Sequence, residues 1–222
     1  MSIKEKTETT GKGVSKSSSS KLTFKQRMMI KREQLIIDTV NSLLATKGYD
    51  AMTVDEIADT VGIAKASLYR HFPSKEALAV GALVDTMQAG LDEIDKINLQ
   101  NLPAIDKLKA ITQWAMRLKL NQKMPNLPSE NSQLREHLLA HEKYTDMLVV
   151  MSDNLGEWIE QAQQDGRLNT ELSPLCILYT LYAKACDPVL GFLKSSGMYS
   201  DDQIIEMVTK AYFDGVGKAN DK

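Results

Sequence analysis

The chain has 222 residues, 43% hydrophobic and 25% charged, the balance of an ordinary globular protein with room for one or two domains and a good core. Its N-terminus lacks the apolar centre of a secretory signal, and no apolar run approaches the roughly 20 residues of a membrane span, so the expected location is cytoplasmic, with no membrane partner. Net charge is only −2, but residues 1–75 hold 13 Lys+Arg against 8 Asp+Glu and residues 76–222 hold 14 against 21, a basic first third on an acidic body that directs affinity for phosphate to one end.

Residues 1–21 are rich in Lys, Ser, Thr and Gly, including Ser17–Ser20, and are expected to be a disordered basic arm. Nine basic and two acidic residues lie between Met1 and Arg32. Two readings stay open: an arm that follows a nucleic-acid backbone or enters a minor groove, and a solvated tail. A first helix is predicted over 24–47, with Ile36, Ile37, Val40, Leu43 and Leu44 inward and Gly48 at its end.

Residues 53–72 read as two short helices joined by a glycine turn. Ile57, Val61, Ile63 and Leu68 mark the buried side, Ala58 permits close approach, and Gly62 supplies the turn. Thr53 and Glu56 have the spacing of a capping box. The second helix carries Lys65, Ser67, Tyr69, Arg70 and His71, hydrogen-bond donors with few acids beside them. That is the chemistry of a helix that reads DNA.

Ser74 caps a long helix predicted over about 75–97, with Leu78, Leu83, Met87, Leu91 and Ile94 at helical spacing. Pro103 opens another, carrying Ile105, Leu108, Ile111, Trp114, Ala115 and Leu118, and the segment Met124–Pro128 breaks it. Helices follow over about 130–141 and 143–165, stopping at Asp165-Gly166. Two C-terminal helices, about 174–195 and 201–217, carry more apolar surface than one domain can cover, which points to a homodimer interface. Cys176 and Cys186 are too few for a disulfide framework. Placed ten residues apart on one helix they cannot bridge, and they are expected to be small buried hydrophobes. No useful β-alternation occurs. The predicted class is all-α.

The stretch around residues 53–78 resembles the DNA-binding signature of the tetracycline-repressor (TetR) family of transcriptional regulators. The resemblance rests on Thr53, Ile57, Ala58, Gly62, Ile63, Ala66, Leu68, Tyr69, His71, Phe72, Ser74, Lys75, Glu76 and Leu78 at fixed spacing. Ala66 stands where many members carry glycine. The detailed match covers about residues 25–80; beyond it only the helical layout corresponds. The resemblance implies an N-terminal three-helix helix-turn-helix domain over 22–75, with its motif at 53–72, and a helical ligand-binding and dimerisation domain over 76–222.

It further implies a homodimer that binds a palindromic double-stranded DNA operator and is released by a small-molecule effector. Lys65, Ser67 and Arg70 are the candidates for base edges. Thr53, Tyr69, His71 and Lys75 match positions that grip the phosphate backbone, and Ala66 shares that surface. An effector pocket would draw on Trp114, Met116, Leu118, Tyr144, Met147, Met151, Trp158, Tyr179 and Tyr182, and such a lining favours an apolar or aromatic compound. Aromatic and methionine residues at helical spacing are more often plain core, and most of the nine are expected to be core.

His137 and His141 have the i, i+4 spacing that can present two nitrogens to one metal ion. No third ligand accompanies them, so an exposed or pocket-lining pair is expected, with no metal and no cofactor. There is no serine elbow, phosphate loop or H-E-x-x-H motif, so no enzyme is expected. The competing reading is a helical small-molecule-binding protein whose helix-turn-helix only packs. The donors on 65–75 argue against it, and repression is the expected mode of action.

Overall fold

The computed structural model describes residues 22–125 and 133–216; the expectation of a disordered arm over 1–21 lies outside them. Among the described residues the chain is all helix. The order is α1 (Phe24–Thr46), α2 (Gly48–Ala51), α3 (Val54–Val61), α4 (Lys65–His71), α5 (Lys75–Asn98), α6 (Ala104–Leu120), α7 (Gln133–Leu139), α8 (Glu142–Gln164), α9 (Pro174–Lys184), α10 (Pro188–Ser195) and α11 (Asp201–Val216).

Helix starts follow the caps that the sequence offers. Thr23, Thr53, Ser74, Ser173 and Asp187 each accept a backbone N–H in the first turn that follows, satisfying donors that have no partner inside the helix. The helix-turn-helix sits on a core of Ile36, Val40 and Leu44 from α1, Met52, Ile57 and Ala58, Leu68 from α4, and Leu78 to Leu83 from α5. Leu134 and Leu138 of α7 and Tyr144 of α8 complete that same core. The N-terminal unit is therefore packed against the C-terminal one through α7 as well as α5.

A second core joins the far half of α5 (Ile94, Ile97) to α6, the far half of α8 and α9. Met116 and Leu120 of α6 meet Leu190 of α10 and Ile204, Ile205 and Val208 of α11 in a third. At 1.5 Å per residue α5 is about 36 Å long and spans the first two cores as one rod.

Four expectations need correction. The predicted helix over 174–195 is two helices of 11 and 8 residues. Pro188 cannot donate into the preceding turn, and Asp187, held extended before it, caps α10 by accepting the Val189 amide at 3.0 Å. Taken whole, residues 174–195 are long and apolar enough to cross a membrane, contrary to the sequence expectation, but neither half alone reaches the length of a span. Cys176 is exposed, because α9 turns Ile177, Leu178 and Leu181 inward; Cys186 lies half-buried in the break. A short helix, α2, also starts at Gly48, where only a helix end was expected.

Candidate nucleic-acid interface

Thr53 Oγ1 accepts the Glu56 amide at 3.2 Å and starts α3. The reciprocal half of the expected capping box is not made: the Glu56 carboxylate pairs with Lys47 instead. At the turn, Gly62 has φ +73°, and the Ile63 amide reaches back to the Ala58 carbonyl at 3.0 Å. A side chain at that φ would be strained, which is why glycine closes the helix here.

In α4 Leu68 is buried against the core and Phe72 packs behind it. Around that anchor Lys65, Ala66, Tyr69 and Arg70 are exposed and Ser67 is half-buried; Thr53 is exposed at the start of α3. Arg70 has no partner among the described residues. Lys65 has one: its ammonium lies 2.8 Å from Asp55 of α3, and this hydrogen bond raises its affinity for its proton. Both groups face solvent, so the pair gives way readily to a stronger anion.

His71 is arranged differently. Its side chain is only 9% exposed, and Nδ1 lies 3.1 Å from Glu33 Oε1 of α1, so this histidine ties the end of α4 to α1. Lys75 lies over the Tyr49 ring, 4.5 Å from its centroid. The Tyr49 hydroxyl donates to Glu76 at 2.8 Å. That bond is the main cause holding the Glu76 carboxyl low, while burial first, and Glu76 second, push the Tyr49 phenol well above its usual range. Glu33, Tyr49 and Asp55 thus support the expected residues, and sequence reasoning missed them. They lie 38, 27 and 10 residues from their partners, separations that no local pattern links.

The nine expected pocket residues are divided. Tyr144, Met147, Met151 and Trp158 follow one another along one face of α8. Met151 and Trp114 meet over Gly90 of α5, where an added Cβ would stand 2.6 Å from Met151 Cε and 3.8 Å from the indole. Tyr182 lies 3.0 Å from Ser152 Oγ, and burial pushes both its phenol and that of Tyr144 upward. Met116 belongs instead to the α6–α10–α11 core, Trp158 lies in the second core beside Lys107, Leu118 is half-buried, and Tyr179 is 64% exposed. An open groove of about 560 Å³ runs between the α9–α10 corner and α11, lined by Val189, Leu193, Met207, Val208, Ala211 and Tyr212; none of the nine lines it.

His137 and His141 do not share a helix. Helix α7 ends at Leu139, and His141 caps α8, its Nδ1 accepting the Tyr144 amide at 3.3 Å. Among the described residues no three metal-binding side chains gather.

Residues 36–82, from the first buried residue of α1 into α5, match the model of the bacterial regulatory proteins of the tetR family. This segment resembles the DNA-binding domain of the TetR family. Two HTH-type relatives match over short segments. YuxN of Bacillus subtilis, an HTH-type transcriptional regulator, is 47% identical over 55 residues, which is 25% of this chain and 19% of that protein. IcaR of Staphylococcus aureus, a negative transcriptional regulator of a biofilm operon, is 54% identical over 43 residues, 19% of this chain and 23% of that protein. The matches therefore span about a fifth of the length of these relatives. The family and both relatives are transcriptional regulators, not enzymes. A likeness of fold extends further than the sequence match: the transcriptional regulator FadR of Bacillus subtilis in complex with stearoyl-CoA superposes with a TM-score of 0.61 at 16% identity, covering 82% of this chain and 95% of that one. At that identity the likeness is one of fold.

Proposed function

We propose that the protein is a cytoplasmic, ligand-responsive repressor that binds a palindromic operator as a homodimer and is released by a small molecule. The observation that carries this reading is α4: a short helix anchored inward by Leu68, with Lys65, Ser67, Tyr69 and Arg70 left on its outer sides. Lys65, Ser67 and Arg70 are assigned to base edges, Arg70 as the strongest because it is unpaired and can bond a guanine bidentately. Thr53, Tyr69 and Lys75 are assigned to phosphates, and His71 to holding α4 against α1.

Dimerisation is assigned to α9–α11. Leu175, Tyr179, Val189, Phe192 and Met207 are exposed there, an apolar area of the kind that marks an association surface. A two-fold pair of α4 helices about 34–36 Å apart would read successive turns of one DNA face, hence a palindrome. The effector is assigned to the interior between α5, α6, α8 and α9, where Trp114, Met151, Tyr144 and Tyr182 supply apolar and aromatic surface with phenol tips. Because FadR is described with stearoyl-CoA, long-chain acyl-CoA thioesters join aromatic compounds in the first ligand set to test.

The experiment is a footprint on the DNA flanking the protein's own gene. A protected inverted repeat, lost when an effector of these classes is added, is the expected result. No sequence-specific complex at moderate salt would overturn the regulator reading in favour of a ligand-binding protein with a structural helix-turn-helix.

A further inference from the structure

The first three turns of α1 are unlike the rest of the helix. Every residue from Phe24 to Arg32 is exposed, and the first buried residue is Ile36, which is also where the family match begins. A helix projecting about 18 Å without a core beneath it is not favoured by packing. Local bonds hold it instead. Thr23 Oγ1 accepts the Gln26 amide, the Gln26 side chain accepts from the Thr23 amide at 2.8 Å, and Arg27 donates to the Leu22 carbonyl at 2.8 Å.

Four cations stand on this projection: Lys25, Arg27, Lys31 and Arg32. Its one acid, Glu33, is already turned to His71 at the end of α4. Lys25, Lys31 and Arg32 have no partner among the described residues. The same Glu33–His71 contact sets the root of the projection beside the recognition helix, so the cations extend a basic surface that begins on α4. At 100° per residue Arg27 and Lys31 fall on one side and Lys25 and Arg32 on the other, flanking Phe24 and Met28. Side chains on both flanks suit a charged groove edge better than a single point contact.

We propose that residues 24–32 form a second DNA contact, a basic helix that grips duplex phosphates next to the segment read by α4. It rests on the proposed DNA-binding function. The site is sequence-independent: it adds affinity and salt dependence and no base preference. Its occupant is the sugar-phosphate backbone of the same duplex that α4 reads, because the Glu33–His71 contact holds the root of the projection beside α4 and no acid stands among residues 24–32.

The test uses the full chain and the variant K25Q/R27Q/K31Q/R32Q, with R27K/R32K as the charge-preserving control. Binding to the footprinted duplex and to an unrelated duplex is measured across a salt series. The expected result is a loss of about ten- to a hundred-fold at about 100 mM salt, with the slope of log affinity against log salt shallower by about 2–4 per protomer and the ratio between the two duplexes unchanged. The control should retain the wild-type slope, and circular dichroism should be the same for all three proteins. Equal affinity and slope for wild type and the quadruple variant would overturn the proposal while leaving the regulator reading intact. A wild type that binds neither duplex would overturn both. If the quadruple change spares DNA binding but abolishes binding to vesicles of anionic lipid, the helix is a membrane contact and the proposal is wrong.

Discussion

Lys65 is the residue where charge and function pull in different directions. Its ammonium is the first donor of α4, yet Asp55 holds it at 2.8 Å. An exposed pair contributes little to stability, so its main effect is on what Lys65 can do next: a DNA acceptor must compete with a carboxylate that also repels phosphate. Asp55→Asn removes that competition. We expect the variant to bind the operator about three- to ten-fold more tightly, with a steeper salt dependence, by mobility shift, and to keep the wild-type melting temperature. Weaker binding would mean that Asp55 orients Lys65 productively. Asp85 offers a separate test, on stability. Burial first, and the nearby Asp38 charge as well, raise its carboxyl against the opposing bond from Gln34. A carboxyl whose folded-state pKa is raised favours the folded state while protonated, and that contribution is lost as pH rises through the folded value. Asp85→Asn should therefore raise the melting temperature at pH 7 only slightly, by about 1 °C, because solvent screens a partly exposed carboxyl. The gain should shrink as the pH is lowered into the carboxylate range.

Helices meet closely at two glycines of α5, and the atoms they meet decide what each tolerates. An added Cβ at Gly81 would lie 2.9 Å from Phe72 Cε1 and 3.1 Å from Ile37 Cδ1, a ring packed against the first core and a buried branched chain. At Gly90 it would meet the free end of Met151, which can swing aside. Alanine gains up to about 1 kcal/mol over glycine within a helix, and forced overpacking costs about 1–3 kcal/mol. Gly81→Ala should thus be net destabilising by about 1 kcal/mol and weaken operator binding, since Phe72 follows directly on α4. Gly90→Ala should be neutral or mildly stabilising in urea unfolding. Equal effects at the two sites would refute the packing argument. The same elements show what the sequence makes legible. Caps at Thr53 and Ser74, the turn at Gly62 and apolar spacing through α5 are local signals, and the helices form where those signals stand. Asp187-Pro188 was an equally local signal, an N-cap before a proline, obscured by the apolar run around it. The partners of Lys65, His71 and Lys75 are another matter: they depend on how α1, α2 and α3 pack, and pairing between distant residues has no period. For the pocket, residue type was legible and position was not, because only packing decides that Met116 faces α11 while Met151 faces α5.

At the scale of the molecule, the α9–α11 surface is the unfinished part of the fold. Phe192 is 72% exposed and Leu175 59%, and Val189 and Leu193, which flank Phe192 in sequence on α10, line the groove bounded by α10 and α11. A stable interface buries about 800 Å² per partner, and aromatic side chains seated in pockets dominate its energy. In a two-fold pair each protomer offers both the projecting ring and the groove, so one substitution removes two anchors at once. Phe192→Lys would place two ammonium groups in the proposed interface without disturbing the monomer, because the side chain lies outside all three cores. The wild-type chain is expected to sediment as a dimer at about 1 µM and the variant as a monomer, the loss of two buried rings being about 3–5 kcal/mol or more. Operator affinity should fall with it, since an isolated α4 reads only half a palindrome. A variant that remains dimeric, with unchanged affinity, would move the interface away from α10; a variant that is monomeric but binds the full operator as tightly as wild type would separate dimerisation from DNA reading altogether.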